Sequence, residues 1–438
     1  MIKTAKITLL KQYLKRLMAL EKIIVKKSAP LSGSISISGS KNASLPILAA
    51  TLLCTGKCTI KNVPPLSDVK LMCSLLESLG AKISFEGKNI IVCVPKLKSH
   101  IAPYEQVSKM RASFLVMGPL LARYGRTRIS LPGGCPIGQR PVDLHLKGFA
   151  AMGAKINLGH GYVEAKTDKL HSAKIYLDFP SVGATENLMM AATLCDGQTI
   201  IENAATEPEI VDLANFLNNC GAKISGAGLG TICIDGVNEL SGCEYNVISD
   251  RIEAGTFMVA AAATHGCIKL ENIPPSHLKP VIAKLREMGA VIEEGENHIS
   301  IDADAKLKCV DIKTLPYPGF PTDMQAQMGA LMSTVQGTGI ITETIFENRF
   351  LYVSELQRMG ANIKIDGRCA IIDEVRHISG ARVNATDLRC GAALIIAGLA
   401  AKGDTEIGSI WHIERGYCDI VEKLQRLGAN IEKSECDL

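Results

Sequence analysis

One phrase written six times at near-constant spacing limits this chain more than any other feature. A leucine-rich helix end, then Gly-Ala, then a strand recurs as LESLGAKI, FAAMGAKI, LNNCGAKI, LREMGAVI, LQRMGANI and LQRLGANI. The glycines are Gly80, Gly153, Gly221, Gly289, Gly360 and Gly428, so successive copies lie 73, 68, 68, 71 and 68 residues apart. Upstream of each stands a second recurring stretch, small and apolar, that ends in Gly56, Gly125, Gly197, Gly266, Gly337 or Gly403. Glycine at such ends suits the left-handed conformation just past a helix, which a side chain disfavours. Each unit therefore reads as buried helix, strand, variable loop, amphipathic helix, glycine turn and strand. A helix apolar nearly all round has to be enclosed on most sides. Three such helices inside a ring of sheets meet that need, so six units predict two domains of three, an expectation that a length of 438 residues shares. The divide is expected between the third and fourth units, in the polar stretch Asp235 to Ser249.

Composition narrows the partners. Aromatic residues are only 4% of the chain, which argues against a stacking platform for single-stranded nucleic acid, and a net charge of +4 is too small to imply a phosphate backbone as ligand. Small anions remain. The 15 cysteines are scattered, with no CxxC pair, and Cys54, Cys195 and Cys390 fall in apolar helical stretches where a thiol acts as a small hydrophobe. A reducing, cytoplasmic compartment is expected. The longest apolar runs, such as Ala392 to Ala401, fall short of the roughly 18 residues a membrane span needs, so no stable membrane insertion is expected. Residues 1–21 form a basic extension: Lys11, Lys15 and Arg16 interrupt the apolar positions a secretory signal requires. Leu10, Leu14 and Leu17 have the spacing of an amphipathic helix able to touch anionic lipid, but the expected reading is a dispensable extension, with Met18 as an alternative start.

Function is expected where the repeats depart from their own pattern. The second unit carries LPGGCPIGQRPVDLH, in which Gly133 and Gly134 leave Cys135 on an exposed turn, and Arg140 five residues on favours a thiolate or binds an anion. In SGSKNASLP a strand marked by Ile35 and Ile37 runs through a glycine turn to Lys41 and Asn42; taken alone, a lysine there is usually a solvated turn residue, and the segment is no P-loop. FPTDMQAQ opens a helix with Thr322 and Gln325 at capping-box spacing and Asp323 in the first turn, where an aspartate serves either the helix dipole or catalysis. Arg111 interrupts a run that otherwise reads as buried helix, and Arg349, Arg389 and Arg415 recur in loops or helix starts of the last two units. Single arginines are ordinarily solvated; four in such segments suggest convergence on an anion, since guanidinium suits carboxylate and phosphate.

Taken in order, SGSKNA, KMRAS, LPGGCPIGQRPVDLH, SVGATEN, ENAATEPEIVD, FPTDMQAQ, FENRF, ATDLR and HIERGY resemble the UDP-N-acetylglucosamine 1-carboxyvinyltransferase family, from about Lys22 to the C-terminus. The resemblance implies an α/β fold, an inside-out α/β barrel of two lobes, each of three repeated units with buried helices surrounded by sheets, and an active site in the cleft. It implies a catalytic lobe of residues 22–40 plus 249–438, and a lobe of 41–248 carrying the cysteine loop and much of the UDP-sugar site. By the same resemblance Lys41, Arg140 and Arg415 look like the cations that hold phosphoenolpyruvate, with Asn42 beside them and Arg111 a contact to the nucleotide sugar. Arg140, Pro141, Val142, Asp143 and Leu144 resemble the uracil-binding run, and Ser181, Val182 and Gly183 the diphosphate-binding turn. Asp323 and Ile345 match positions that flank the acetylated sugar, Asp387 and Arg389 a cleft pair, and Arg349 joins the substrate-binding set. Phe179 stands where some members carry Lys, so a side-chain ion pair to the diphosphate is not expected there.

The implied reaction is addition and elimination: the sugar 3′-hydroxyl attacks C2 of phosphoenolpyruvate, C3 takes a proton, and phosphate leaves. Cys135 is then the acid, Asp323 the base, and Lys41, Arg140 and Arg415 the electrostatic clamp. No metal or organic cofactor is implied. The role implied is the first committed step of peptidoglycan precursor synthesis, tied to cell shape and division, with fosfomycin acting on Cys135. Two rivals are 3-phosphoshikimate 1-carboxyvinyltransferase, which shares the fold but has no such cysteine loop, and a sugar-nucleotide-binding paralogue without turnover, against which Lys41, Cys135, Asp323 and Arg415 stand together. The sequence leaves the oligomeric state open.

Overall fold

The computed structural model describes residues 21–131, 138 and 142–434. They form two compact units: one of residues up to Ser36, Ile252–Leu315 and from Phe320 onward, the other of Ile37–Arg251 and Pro316–Gly319. Six four-stranded sheets, three in each unit, share one strand order. An edge strand runs parallel to its neighbour, and the next two strands are antiparallel. In the third repeat these are Lys174–Tyr176, Gln198–Glu202, Thr231–Asp235 and Lys223–Ser225. Along each strand burial alternates, so one face packs on the core and the other meets solvent.

The apolar stretches are the buried helices. In Arg251–Ala263 every residue from Ile252 on is buried, as is all of Gln325–Met332, and Leu388–Ala400 is buried from Arg389 to Leu399. Small residues let them approach: Gln325–Met332 packs on Leu388–Ala400, and Met117–Tyr124 on Val182–Ala192. Truncating one of their large side chains, such as Leu394 at 0% exposure, costs about 2–5 kcal/mol.

The expected glycine turns form. Gly80, Gly153, Gly221, Gly289, Gly360 and Gly428 all have positive φ, as do Gly56, Gly125, Gly197, Gly337 and Gly403. Gly266 departs from the expectation: the left-handed residue of that turn is His265, with φ 53°. Gly266 is needed instead for contact, because a Cβ there would lie 2.4 Å from the Leu31 carbonyl oxygen.

Two features of the repeats were not expected. Each glycine turn leads into a hairpin rather than a lone strand, and in the sixth repeat the missing hairpin strand is Lys22–Val25, from the other end of the chain. In four repeats the parallel edge strand precedes the buried helix of its own sheet, but the first and fourth exchange theirs. Ser32–Ser36 precedes Lys41–Ala50 yet pairs with Cys267–Glu271, while Glu244–Asn246 precedes Arg251–Ala263 yet pairs with Lys57–Lys61. The chain passes from unit to unit between each of these strands and its helix. Past the strands, Ser40 N donates to Ile248 O at 2.7 Å and Asp250 N to Ser38 O at 2.8 Å, tying the two connecting segments together ahead of Lys41.

Candidate active site

Asp323 lies in a short 3-10 turn, Thr322–Met324, that opens the buried helix Gln325–Met332. Its carboxylate is held from both sides: Oδ1 accepts from Arg349 Nη2 and Oδ2 from Arg389 Nη2, each at 2.8 Å. Both arginine side chains are 4% exposed against 28% for Asp323, so the cations are buried while the carboxylate is reached by solvent.

The supports of this carboxylate are themselves anchored. Asp387 caps the helix Leu388–Ala400, Oδ1 accepting from Arg389 N at 2.8 Å and Cys390 N at 3.2 Å. The Arg389 guanidinium sits 5.3 Å from the Tyr417 ring centroid. Gln327 Nε2 reaches the Asp323 carbonyl oxygen at 2.9 Å and the Tyr417 hydroxyl at 3.1 Å. Arg415 ends the 3-10 helix Ile410–Arg415, on which the Leu388–Ala400 helix lies so closely that a Cβ on Gly391 would meet Ile413 at 2.3 Å. Burial, then the charge of Arg415, pushes His412 below its ordinary range while Asp387 pulls the other way, so all three share one field.

The capping box expected of Thr322 and Gln325 does not form. Thr322 Oγ1 donates to Glu343 Oε2 at 2.9 Å, and Gln325 is fully buried in the core. Glu343, which the sequence did not point to, is the hub of this side. At 1% exposure its Oε1 accepts from Thr314 Oγ1 (2.9 Å), Ile345 N (2.7 Å) and Phe346 N (3.1 Å), so one carboxylate ties the Asp323 turn to the Ile345 loop.

In the Ile37–Arg251 unit, Lys41 begins the helix Lys41–Ala50, whose N-cap Ser40 accepts from Ala43 N. Its Nζ lies 3.6 Å from Asp68 Oδ2, with the two side chains 12% and 8% exposed, and its main-chain N donates to Asp250 Oδ2 at 3.3 Å. Asn42 follows, half-buried. The helix packs on the 3-10 helix Arg111–Val116, which Arg111 opens. Asn187 connects the remaining pieces: Nδ2 donates to Phe114 O at 3.0 Å and lies 3.1 Å from His145 Nδ1, while Oδ1 accepts from Gly118 N at 2.7 Å. His145 lies in the helix Asp143–Ala151, next to Leu144, and a Cβ on Gly183 would come within 3.4 Å of its ring. Ser181 caps the helix Val182–Ala192, which points the free amides of its first turn outward, an arrangement suited to an anion. Arg111, Val142 to Leu144 and Ser181 to Gly183 are thus gathered around His145 and Asn187. Phe179, 45% exposed, supplies no cation to that turn. Cys135, Arg140 and Pro141 lie outside the described residues.

The sequence profile of EPSP synthase (3-phosphoshikimate 1-carboxyvinyltransferase) matches residues 25–424. UDP-N-acetylglucosamine 1-carboxyvinyltransferase 2 of Carboxydothermus hydrogenoformans is 60% identical over 416 residues, which is 94% of this chain and 99% of that one. UDP-N-acetylglucosamine 1-carboxyvinyltransferase 1 of Caldanaerobacter subterraneus subsp. tengcongensis is 59% identical over 410 residues, covering 94% and 99%. Among solved structures, the enolpyruvyl transferase NikO from Streptomyces tendae superposes with a TM-score of 0.86 at 23% identity, covering 96% of this chain and 100% of its own. EPSP synthase from Acinetobacter baumannii gives 0.75 at 18% identity, covering 94% and 100%; at these identities both structures speak to the fold. The chain belongs to the EPSP synthase family of carboxyvinyltransferases and, within it, to the UDP-N-acetylglucosamine 1-carboxyvinyltransferases. The expected α/β class, with helices inside sheets, agrees with these neighbours.

Proposed function

We propose that this chain transfers the carboxyvinyl group of phosphoenolpyruvate to the 3′-hydroxyl of UDP-N-acetylglucosamine with release of phosphate. The observation that carries the reading is Asp323, held at 2.8 Å by each of two buried arginines while itself partly exposed. A base so fixed accepts the hydroxyl proton without reorganising. The acceptor sugar is supported by the names of relatives 54–60% identical over nearly the whole chain, which favours it over shikimate 3-phosphate.

In this reading Cys135 protonates C3 while the oxygen nucleophile adds to C2, and the tetrahedral adduct expels phosphate to restore the vinyl group. Lys41, Arg140 and Arg415 neutralise carboxylate and phosphate. Asn42, Arg111, Arg140, Pro141, Val142, Asp143 and Leu144 hold the nucleotide sugar, and Ser181, Val182 and Gly183 offer main-chain amides to its diphosphate. Ile345, Arg349, Asp387 and Arg389 complete the substrate contacts. Residues 22–40 with 249–438 act as the catalytic lobe and 41–248 as the lobe of the cysteine loop. The setting is cytoplasmic peptidoglycan precursor synthesis, supporting cell shape and division, with fosfomycin as a covalent inhibitor at Cys135.

Phosphate release from phosphoenolpyruvate tests the reading, with UDP-N-acetylglucosamine and shikimate 3-phosphate as alternative acceptors. Turnover is expected with the first and not the second, and fosfomycin should then add to Cys135 by peptide mass mapping. Turnover only with shikimate 3-phosphate, or with neither, overturns it.

A further inference from the structure

Four cysteines, of which the sequence singled out only Cys54, converge in the Ile37–Arg251 unit. Cys54 and Cys58 flank the turn that leads into the strand Lys57–Lys61, Cys220 ends the helix Pro208–Asn219, and Cys243 precedes the strand Glu244–Asn246. Main-chain bonds bring them together: Ser241 N donates to Cys220 O at 2.8 Å, Thr59 N to Cys243 O at 2.8 Å, and Gly242 N to Thr55 O at 2.7 Å. Gly242 is required for this approach, since a Cβ there would lie 2.2 Å from the Lys57 carbonyl oxygen. The Cys220 thiol points at Cys243, Sγ to Sγ 3.2 Å, beyond a disulfide bond of about 2.05 Å but within reach of one after a small rotation.

The two thiols are unlike. Cys220 is 1% exposed, whereas Cys243 is only half-buried and open to a small oxidant. The hydrogen bond from Cys220 lowers the pKa of Cys243, and that same bond holds the proton on Cys220. An accessible thiol with thiolate character beside a buried partner is the arrangement of an attacking and a resolving cysteine. Among the described residues no three His, Cys, Asp or Glu side chains are arranged to hold a metal ion, so the cluster is not a metal centre of that kind.

We propose that Cys220 and Cys243 are a thiol–disulfide modification site, oxidised by small hydroperoxides and separate from the residues of carboxyvinyl transfer. The Cys243 thiolate attacks the terminal oxygen of the hydroperoxide, the O–O bond breaks, and the departing alkoxide or hydroxide takes up the proton the thiol gave. Cys220 sulfur then displaces hydroxide from the Cys243 sulfenic acid, with its proton leaving in water. Two thiols and one hydroperoxide thus give one disulfide, one alcohol or water, and one further water. The bond joins the end of the Pro208–Asn219 helix to the segment that runs on to Asp250, the acceptor of the Lys41 main-chain amide.

The test uses the full-length reduced protein and hydrogen peroxide, followed by alkylation in denaturant, digestion without reductant and mass spectrometry. A linked Cys220–Cys243 peptide, lighter by two hydrogens than the sum of its parts, is expected at lower peroxide than any other internal disulfide and should vanish on reduction. In Cys243→Ser, whose turnover under reductant should equal that of the parent, the linkage is lost and Cys220 alkylates fully. Recovery of both cysteines as alkylated thiols at doses that oxidise other cysteines overturns the proposal. A disulfide that pairs Cys220 with Cys54 or Cys58 in the parent protein also overturns it.

Discussion

The surroundings of Asp323 and of Lys41 are built with opposite charge logic. Asp323 is one anion facing two buried guanidiniums, whereas Lys41 is one cation whose ammonium lies beside the carboxylate of Asp68 and whose main-chain amide donates to Asp250. Neither arrangement is needed for folding as such, since apolar residues could fill either place with less desolvation. The difference lies in what is free to act. At Asp323 the cations are buried and the anion is partly exposed, as suits a group that takes a proton. At Lys41 the charge is already answered by the Asp68 carboxylate within its own unit, so an incoming anion has to compete for it.

The largest expected effect follows for Asp323. Asp323→Asn keeps the shape but leaves Arg349 and Arg389 facing a neutral amide and removes the acceptor of the proton. A fall in kcat of about 10³-fold is expected, with affinity for UDP-N-acetylglucosamine kept within about tenfold. Steady-state kinetics beside calorimetry separates the two. Loss of sugar-nucleotide affinity matching the loss of rate would make Asp323 a binding residue and remove the contrast with Lys41.

Lys41→Met tests the other half. Methionine replaces much of the buried stem, so the loss is mainly the ammonium. If this cation holds phosphoenolpyruvate, kcat/KM for that substrate should drop about a hundredfold, the scale of losing one partner from a desolvated charge pair. The KM for the sugar nucleotide should change little. An unchanged kcat/KM for phosphoenolpyruvate would mean that the Lys41 side chain serves only to neutralise Asp68.

How much of this was legible beforehand differs between fold and site. The glycine turns were readable because positive φ is a local demand with a local signature, and only at Gly266 did a neighbour's carbonyl, rather than the turn, set the requirement. The exchange of Ser32–Ser36 and Glu244–Asn246 between repeats was not readable, since alternation marks a strand but says nothing of which sheet receives it. Asp323 was legible as a first-turn aspartate and Arg349 and Arg389 as recurring arginines suited to an external anion; that two arginines 40 residues apart (389 − 349) grip this one carboxylate is a tertiary fact. The capping-box spacing misled because Thr322 found a buried carboxylate 21 residues on. Glu343 itself gave no signal, as a glutamate after a strand is ordinarily solvated and its burial depends on four donors from three segments.

The smallest expected effect concerns the Lys41 side and its response to acid. His145 is pushed down from 6.5 to about 3, by burial first and the charge of Arg111 second, so it stays neutral in the fold while its Nδ1 accepts from Asn187. Because the folded value lies below the unfolded one, the unfolded chain binds the extra proton between about pH 6.5 and pH 3. The stability held by neutral His145 is therefore complete above about pH 6.5 and is lost as the pH falls, at about 1.4 kcal/mol per unit. Over the 1.5 units from pH 6.5 to pH 5.0 that is about 2 kcal/mol. Buried carboxyl groups of the same unit act the other way: burial raises Asp212 to about 6 and Glu186 well above its ordinary value, so both gain from acid. Only the difference between parent and variant isolates the histidine. His145→Gln, which does not titrate, should lose about 2 kcal/mol less than the parent when urea unfolding is followed at both pH values, even if it starts from a lower stability. Equal losses would mean that His145 is protonated in the fold at pH 5, and that Arg111 and Asn187 are not held around a neutral ring.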